Sequence, residues 1–301
     1  MHQLILILLG GAMLMSFSCA QSKFKVEQVK QKIENIIAEV DNVTVAVAFE
    51  DLKTGDHFFI NEKIQMHAAS TMKTPVMIEV FKQAEEGRFN LSDSVEIKNE
   101  FKSIVDGSIF SLDFEDDSDD VVYQRIGQKM SILDLVTQMI TVSSNFATNI
   151  LIELVGAEDV MKTMKSIEAE NIQVLRGVED MKAYNQGLNN TTDAFDLYLV
   201  MKVIAQRKVV SEKSCNQMIA ILSQQQFREK IPRYLPPAIQ VANKTGRITG
   251  IDHDSAIIYL TSSHAYVLVV LTQGFDDHQA AQDVIATISE IIYNAMADAY
   301  L

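Results

Sequence analysis

The stretch Ser70-Thr71-Met72-Lys73-Thr74-Pro75-Val76-Met77-Ile78-Glu79-Val80-Phe81 decides how the rest of this chain is read. A serine and a lysine three apart, opening an amphipathic run, fall on one face of one helical turn. A serine hydroxyl is a weak nucleophile and needs a neighbouring base. A partly desolvated lysine amine can lose its proton and act as that base. Ser70 at the start of a helix also sits where backbone N–H groups favour developing negative charge. Taken alone, the tetrapeptide reads more simply as a capping serine and a surface lysine. Its meaning rests on its surroundings.

Upstream, Phe24 to Val40 carries a helical stripe of Val26, Val29, Ile33, Ile36, Ile37 and Val40. Val43 to Phe49 then alternates as a strand, with Val43, Val45, Val47 and Phe49 on one face and Thr44, Ala46 and Ala48 on the other. A turn at Lys53-Thr54-Gly55-Asp56 leads to a returning strand, His57 to Ile60, so the pair is an antiparallel hairpin. Downstream of Ser70 the pattern is helical to about Leu222. Ser131 caps Ile132–Ile140, Asn145–Val155 ends at Gly156, Ala157–Ile167 and Thr192–Ala205 follow, and Ser211 caps the helix carrying Cys215. Strands return at Ile239–Ala242, Ala256–Leu260 and Tyr266–Thr272, and a last helix runs from about Gln279 to Ala299. This order predicts an α+β sandwich: one mainly antiparallel sheet with the terminal helices on it and an all-helical part inserted between its strands. The divisions expected are an α/β part, 21–66 and 228–301, and an all-α part, 67–227.

The 301 residues carry a formal charge of −14, which argues against nucleic acid as a partner and against docking on an anionic membrane. The apolar run Leu4 to Phe17 is short for a span and reads as a secretory signal over residues 1–20. Export to the periplasm is therefore expected. Ser18-Cys19-Ala20 before Gln21 allows ordinary cleavage, or a lipid anchor at Cys19 as the one membrane contact. Cys215 is then the single body cysteine and reads as a small hydrophobe. The acidic run Asp113 to Asp120 lacks the glycine of a calcium loop and reads as a solvated loop. His57, His67, His253, His264 and His278 show no metal-ligand spacing, so neither metal nor cofactor is expected. His253-Asp254 is expected in a turn before the Ala256 strand. No Gly-x-Ser-x-Gly elbow is present.

Two further motifs change the odds on Ser70. Ser143-Ser144-Asn145 lies between two helices, where a serine can relay a proton and an asparagine amide can hold a polar group. Lys244-Thr245-Gly246 ends an apolar strand and offers positive charge, a hydroxyl and a residue that lets a substrate approach the backbone. Each has a plain structural reading, as a cap pair and as a strand end. Together, in this order and setting, the three form the set of the serine β-lactamases and penicillin-binding proteins.

The chain thus resembles that family of penicillin-recognising enzymes, class A β-lactamases most closely, along its whole mature length. The resemblance implies a monomeric serine hydrolase acting on a small-molecule β-lactam. It implies Ser70 as the acylated nucleophile, Lys73 as its base and Ser143 as proton donor to the leaving nitrogen. Asn145 would contact the substrate's amide and support Lys73, and Lys244 and Thr245 would bind its carboxylate. The backbone N–H groups of Ser70 and of Arg247, after Gly246, would form the oxyanion hole. Ser144 stands where class A enzymes usually carry aspartate. A glutamate on a loop activates the deacylating water in class A; Glu179 is the natural match, but Ala183 stands four residues on where the family has asparagine, and Asn185 lies two further. Glu179 could instead pair with Arg176 or Lys182. A D-Ala-D-Ala peptidase with slow deacylation, and a non-catalytic binding protein on the same fold, are the competing readings; retention of all three motifs speaks against the latter.

Overall fold

The computed structural model describes residues 24–301; the segment 1–20 expected to be a signal, and Cys19 within it, lie outside the described residues. Five strands form one antiparallel sheet: β1 (Thr44–Asp51), β2 (His57–Ile60), β3 (Gln240–Ile248), β4 (Ile251–Thr261) and β5 (His264–Gln273). Their spatial order is β2-β1-β5-β4-β3, so β1 from the start of the chain sits inside the sheet, between its own hairpin partner β2 and the central β5, and β3 lies at an edge. The hairpin β1–β2 and the alternation of β1 are as the sequence predicts. Val45, Val47 and Phe49 face one apolar cluster and Ala46 and Ala48 the other. Large side chains take the roomy face and alanines the face where a helix packs close.

The first cluster joins the sheet to the terminal helices α1 (Val26–Ala38) and α9 (His278–Tyr300) through Val29, Ile33, Ile285, Ile288 and Ile292. On the other face lie α2 (Lys73–Glu85), α3 (Ile132–Thr141), α4 (Asn145–Val155), α5 (Ala157–Ser166), α6 (Met181–Asn185), α7 (Ala194–Ala205) and α8 (Glu212–Leu222). Helix α7 packs directly on the sheet, and α2 runs through the centre of the helical layer with nearly every side chain buried. Ser131 and Ser211 cap their helices, and Gly156 leaves α4 with a φ of 82°, a conformation that costs glycine little. Cys215 is buried as a small hydrophobe, with Sγ on the Val209 carbonyl. Among the described residues no helix is long and apolar enough to cross a membrane.

Four local expectations change. Helix α2 begins at Lys73, and Ser70 lies on the short 3-10 turn Ala69–Met72 before it. Lys244-Thr245-Gly246 sits inside β3 rather than at its end, because pairing with β4 carries the strand on to Ile248. His253 and Asp254 are not in a turn: both lie within β4 and are fully buried, as inward-facing polar groups that earlier periodicity could not distinguish from a loop. Thr191-Thr192 does not open α7 but pairs with Met66-His67 as a small ribbon, and Asp193 caps the helix.

Candidate active site

The turn carrying Ser70 is held from several sides. Ala69 has a φ of 46°, a left-handed conformation unusual for a non-glycine residue. Its N–H donates to His67 Nδ1 at 3.0 Å, and the Ala68 N–H donates to the Asn190 carbonyl at 2.9 Å. His253 on β4 brings Nε2 to 3.0 Å from the His67 carbonyl, and burial holds the His253 imidazole down at about 4. Gly246 explains its own identity here. A Cβ at that position would lie 3.1 Å from Ala69 Cβ and 3.2 Å from Ser70 N. The glycine therefore admits the Ser70 turn against β3, a closer reason than the substrate approach expected from sequence.

Lys73 is fully buried one helical turn on, and its Nζ donates to the Ser143 carbonyl at 2.6 Å, to Asn145 Oδ1 at 2.9 Å and to Ser143 Oγ at 3.2 Å. Burial pulls its amine down to about 7, against the opposing pull of Asp117 and Glu179. Lys244, also fully buried, donates to Ser143 Oγ at 3.0 Å and to the Thr245 carbonyl at 2.8 Å. Burial first, and then the Lys73 charge, hold Lys244 well below the usual lysine range. Ser143 thus stands between two lysines, with a φ of 62° aiming it off the end of α3. Ser144 is buried and accepts the Ala147 N–H as the cap of α4, which is the work a side chain at that middle position can do.

Glu179 reaches the same cluster. Its Oε1 accepts a hydrogen bond from Asn145 Nδ2 at 2.9 Å. Arg176 instead donates to the Leu188 and Gly177 carbonyls and to Asn189, and Lys182 to Asp106 and Ser108, so neither pairs with Glu179. Burial raises the Glu179 carboxyl above its ordinary range, opposed by the Asn145 hydrogen bond and reinforced by Asp117 and Asp116. Ala183 is buried in α6, and Asn185 is exposed.

Ser70, Ser143, Asn145, Thr245 and the exposed Arg247 line one cleft of about 190 Å3, together with Phe227, Glu229 and Lys230. A larger cavity of about 500 Å3 beside α8 offers no comparable chemistry: its Ser131 and Ser214 hydroxyls donate to Asp134 and Glu85. The acidic run is solvated at Asp113, Glu115, Asp116 and Asp120, as expected, and departs from that reading at Asp117 and Asp119. Asp117 accepts the N–H groups of Asn145 and Phe146 at the start of α4, Asp119 is buried, and Asp116 and Ser118 line the cleft. Asp117, Asn149 and Lys230 carried no sequence signal of their own, since each works through a partner distant in the chain.

The family model for the β-lactamase enzyme family matches residues 28–296. The chain belongs to this family. No curated protein matches it. Solved structures of similar fold include PBP-A, with a TM-score of 0.78 at 23% identity over 90% of this chain and 96% of that one. A mutant of PBP-A is also known as an acyl-enzyme complex with penicillin G. A β-lactamase from Sphaerobacter thermophilus DSM 20745 gives a TM-score of 0.75 at 25% identity, covering 90% of this chain and 97% of that one. A class A β-lactamase from Bacteroides cellulosilyticus DSM 14838 gives 0.77 at 20% identity, covering 92% and 99%. PBP-A and β-lactamases thus share the fold of this chain, and the fold alone does not separate them.

Proposed function

We propose that this family member is a class A serine β-lactamase. Neutral Lys73 Nζ takes the proton of Ser70 Oγ, and the oxygen attacks the lactam carbonyl. The Ser70 and Arg247 N–H groups receive the developing oxyanion. Ser143 Oγ donates a proton to the lactam nitrogen as the C–N bond breaks, and is resupplied through Lys73 or Lys244. The substrate carboxylate lies against Lys244, Thr245 and Arg247, and its side-chain amide against Asn145. In the second half, the Glu179 carboxylate takes a proton from water, the hydroxide attacks the ester, and Ser70 Oγ leaves with a proton.

The observation that carries this reading is the buried Lys73 amine, near neutrality and within 3.2 Å of the Ser143 hydroxyl. A base whose proton affinity matches the working pH suits general base catalysis. Glu179, facing the same asparagine and paired with neither Arg176 nor Lys182, supports the hydrolytic half.

A second reading has its own observation. The position four residues after Glu179 is the buried Ala183, which offers a water no amide. That favours a D-Ala-D-Ala peptidase acylated by β-lactams and released slowly. Intact-protein mass spectrometry with a penicillin, alongside loss of free drug, separates the two. A transient adduct with drug consumed supports the β-lactamase; a persistent adduct with little turnover supports the peptidase; no adduct removes both. Export, with cleavage or lipid anchoring at Cys19, rests on the Leu4 to Phe17 run.

A further inference from the structure

Three lysines are buried around this cleft, Lys73, Lys230 and Lys244. The chemistry proposed above employs the first and last. Lys230 has no part in it, yet its side chain is 1% exposed and lines the cleft. Its Nζ donates to the Gly246 carbonyl at 2.9 Å and lies 2.9 Å from Asp252 Oδ1. Asp252 Oδ2 in turn meets His278 Nδ1 at 2.5 Å, at the first turn of α9. The neighbouring Ile231 N–H donates to Asp254 at 3.1 Å, which pins the Lys230 backbone to β4. A buried ion pair of this kind rarely stabilises a fold more than an apolar pair of the same size. Its position suggests what else it does.

The Gly246 carbonyl belongs to the same planar peptide unit as the Arg247 N–H. Strand β3 is an edge strand, and Ile248↔Ile251 closes the hairpin around Thr249-Gly250. Counting back one residue, Arg247 faces Asp252 as a non-hydrogen-bonded pair, so its N–H points to the open edge, in the strand that borders the cleft together with Ser70. A cation on the carbonyl end of an amide draws charge through it and sharpens the N–H at the other end. We infer that Lys230, held by Asp252 and His278, is a positioning residue that orients and polarises the Gly246–Arg247 peptide as an oxyanion donor. The inference rests on the serine-acylation reading above.

The test is Lys230→Met in the full-length protein, measured for the second-order rate of penicillin acylation by mass spectrometry and for the acyl carbonyl stretch by infrared difference spectroscopy after rapid mixing. The expected result is a fall in acylation of about tenfold, smaller than the roughly 100-fold or more seen on loss of a whole oxyanion donor. The carbonyl stretch should move to higher frequency, and Lys230→Arg should restore both. Because Lys230→Met leaves the buried Asp252 with His278 alone against it, the double variant Lys230→Met with Asp252→Asn is measured in parallel. A folded variant with wild-type acylation and an unmoved stretch overturns the inference. So does weakened substrate affinity with an unmoved stretch, which would make Lys230 a partner of the substrate carboxylate instead. If wild-type protein forms no adduct, the acylation reading itself fails, and the inference with it; if wild type acylates and the variants match it, the inference alone fails.

Discussion

The turn at Ser70 and the loop at Glu179 face the same asparagine but are held by different physics. Around Ser70 the chain is locked by core packing: Met72 and Lys73 are fully buried, and Gly246 lies so close to the turn that a Cβ would press on Ala69, Ser70 and Thr71 at 3.1–3.2 Å. Around Glu179 the chain is held by side chains bonding to backbone. Asn149 accepts the Val178 N–H and donates to its carbonyl, Asn190 accepts the N–H groups of Leu175 and Arg176, and Asp180 binds Ser103 and Ile104. Glu179 itself has a φ of 63°, and Met181 and Tyr184 just beyond it are 57% and 47% exposed. The half proposed to acylate belongs to the apolar core, and the half proposed to deacylate hangs on buried polar side chains bonded to the backbone of its loop. The two halves rest on different contacts, so they should be separable by mutation.

The largest break is Ser70→Ala, which should abolish covalent labelling by penicillin while leaving the thermal midpoint unchanged. Label surviving on the variant by mass spectrometry would remove Ser70 from its role. Lys73→Met should come next, slowing acylation about 1,000-fold, within the range typical of a lost general base. Wild-type acylation should also depend on pH through this group. The neutral amine is the reactive form, so the rate should climb about tenfold per unit below about 7 and flatten above it. A flat profile across that range would move the base elsewhere.

Glu179→Gln sharpens the contrast from the other side. Acyl-enzyme should accumulate and turnover fall about 100-fold, with acylation unchanged. Deacylation in the wild type should decline on acidification as Glu179 gains its proton, at a pH above the ordinary carboxylate range because burial favours its neutral form. Equal turnover in both proteins would sink the role of Glu179. The smallest effect is expected from Gly177→Ala. Its Cβ would come 2.5 Å from Asn149 Oδ1, so the Asn149 amide that holds Val178 must shift. A loss of about 1–2 kcal/mol in denaturant unfolding is expected, with deacylation slowed more than acylation.

Much of the fold was legible because its strands alternate and its helices carry caps. Val45, Val47 and Phe49 against Ala46 and Ala48 gave both faces of β1, and Ser131 and Ser211 marked helix starts that the structure retains. His253-Asp254 resisted reading for a definite reason. A buried polar pair in a strand is stable only when distant partners satisfy it, here the His67 carbonyl and Asn243. Local sequence shows the polarity and not the partners. The acidic loop misled in the same way, since Asp117 is defined by the two N–H groups of α4 that it caps.

The sequence by itself determined the family and the chemical types at the cleft, because the reacting residues stand in short fixed spacings that local backbone geometry imposes. Ser70 and Lys73 share one turn, Ser143 and Asn145 one helix entrance, and Lys244 to Gly246 one strand. Only the tertiary structure decided what state those groups are in and which others join them. The lowered amines of Lys73 and Lys244, the raised carboxyl of Glu179 and the Lys230–Asp252–His278 chain all arise from burial and from charges far apart in sequence. Spacing along a chain carries neither, because desolvation and Coulomb interactions depend on distance in space.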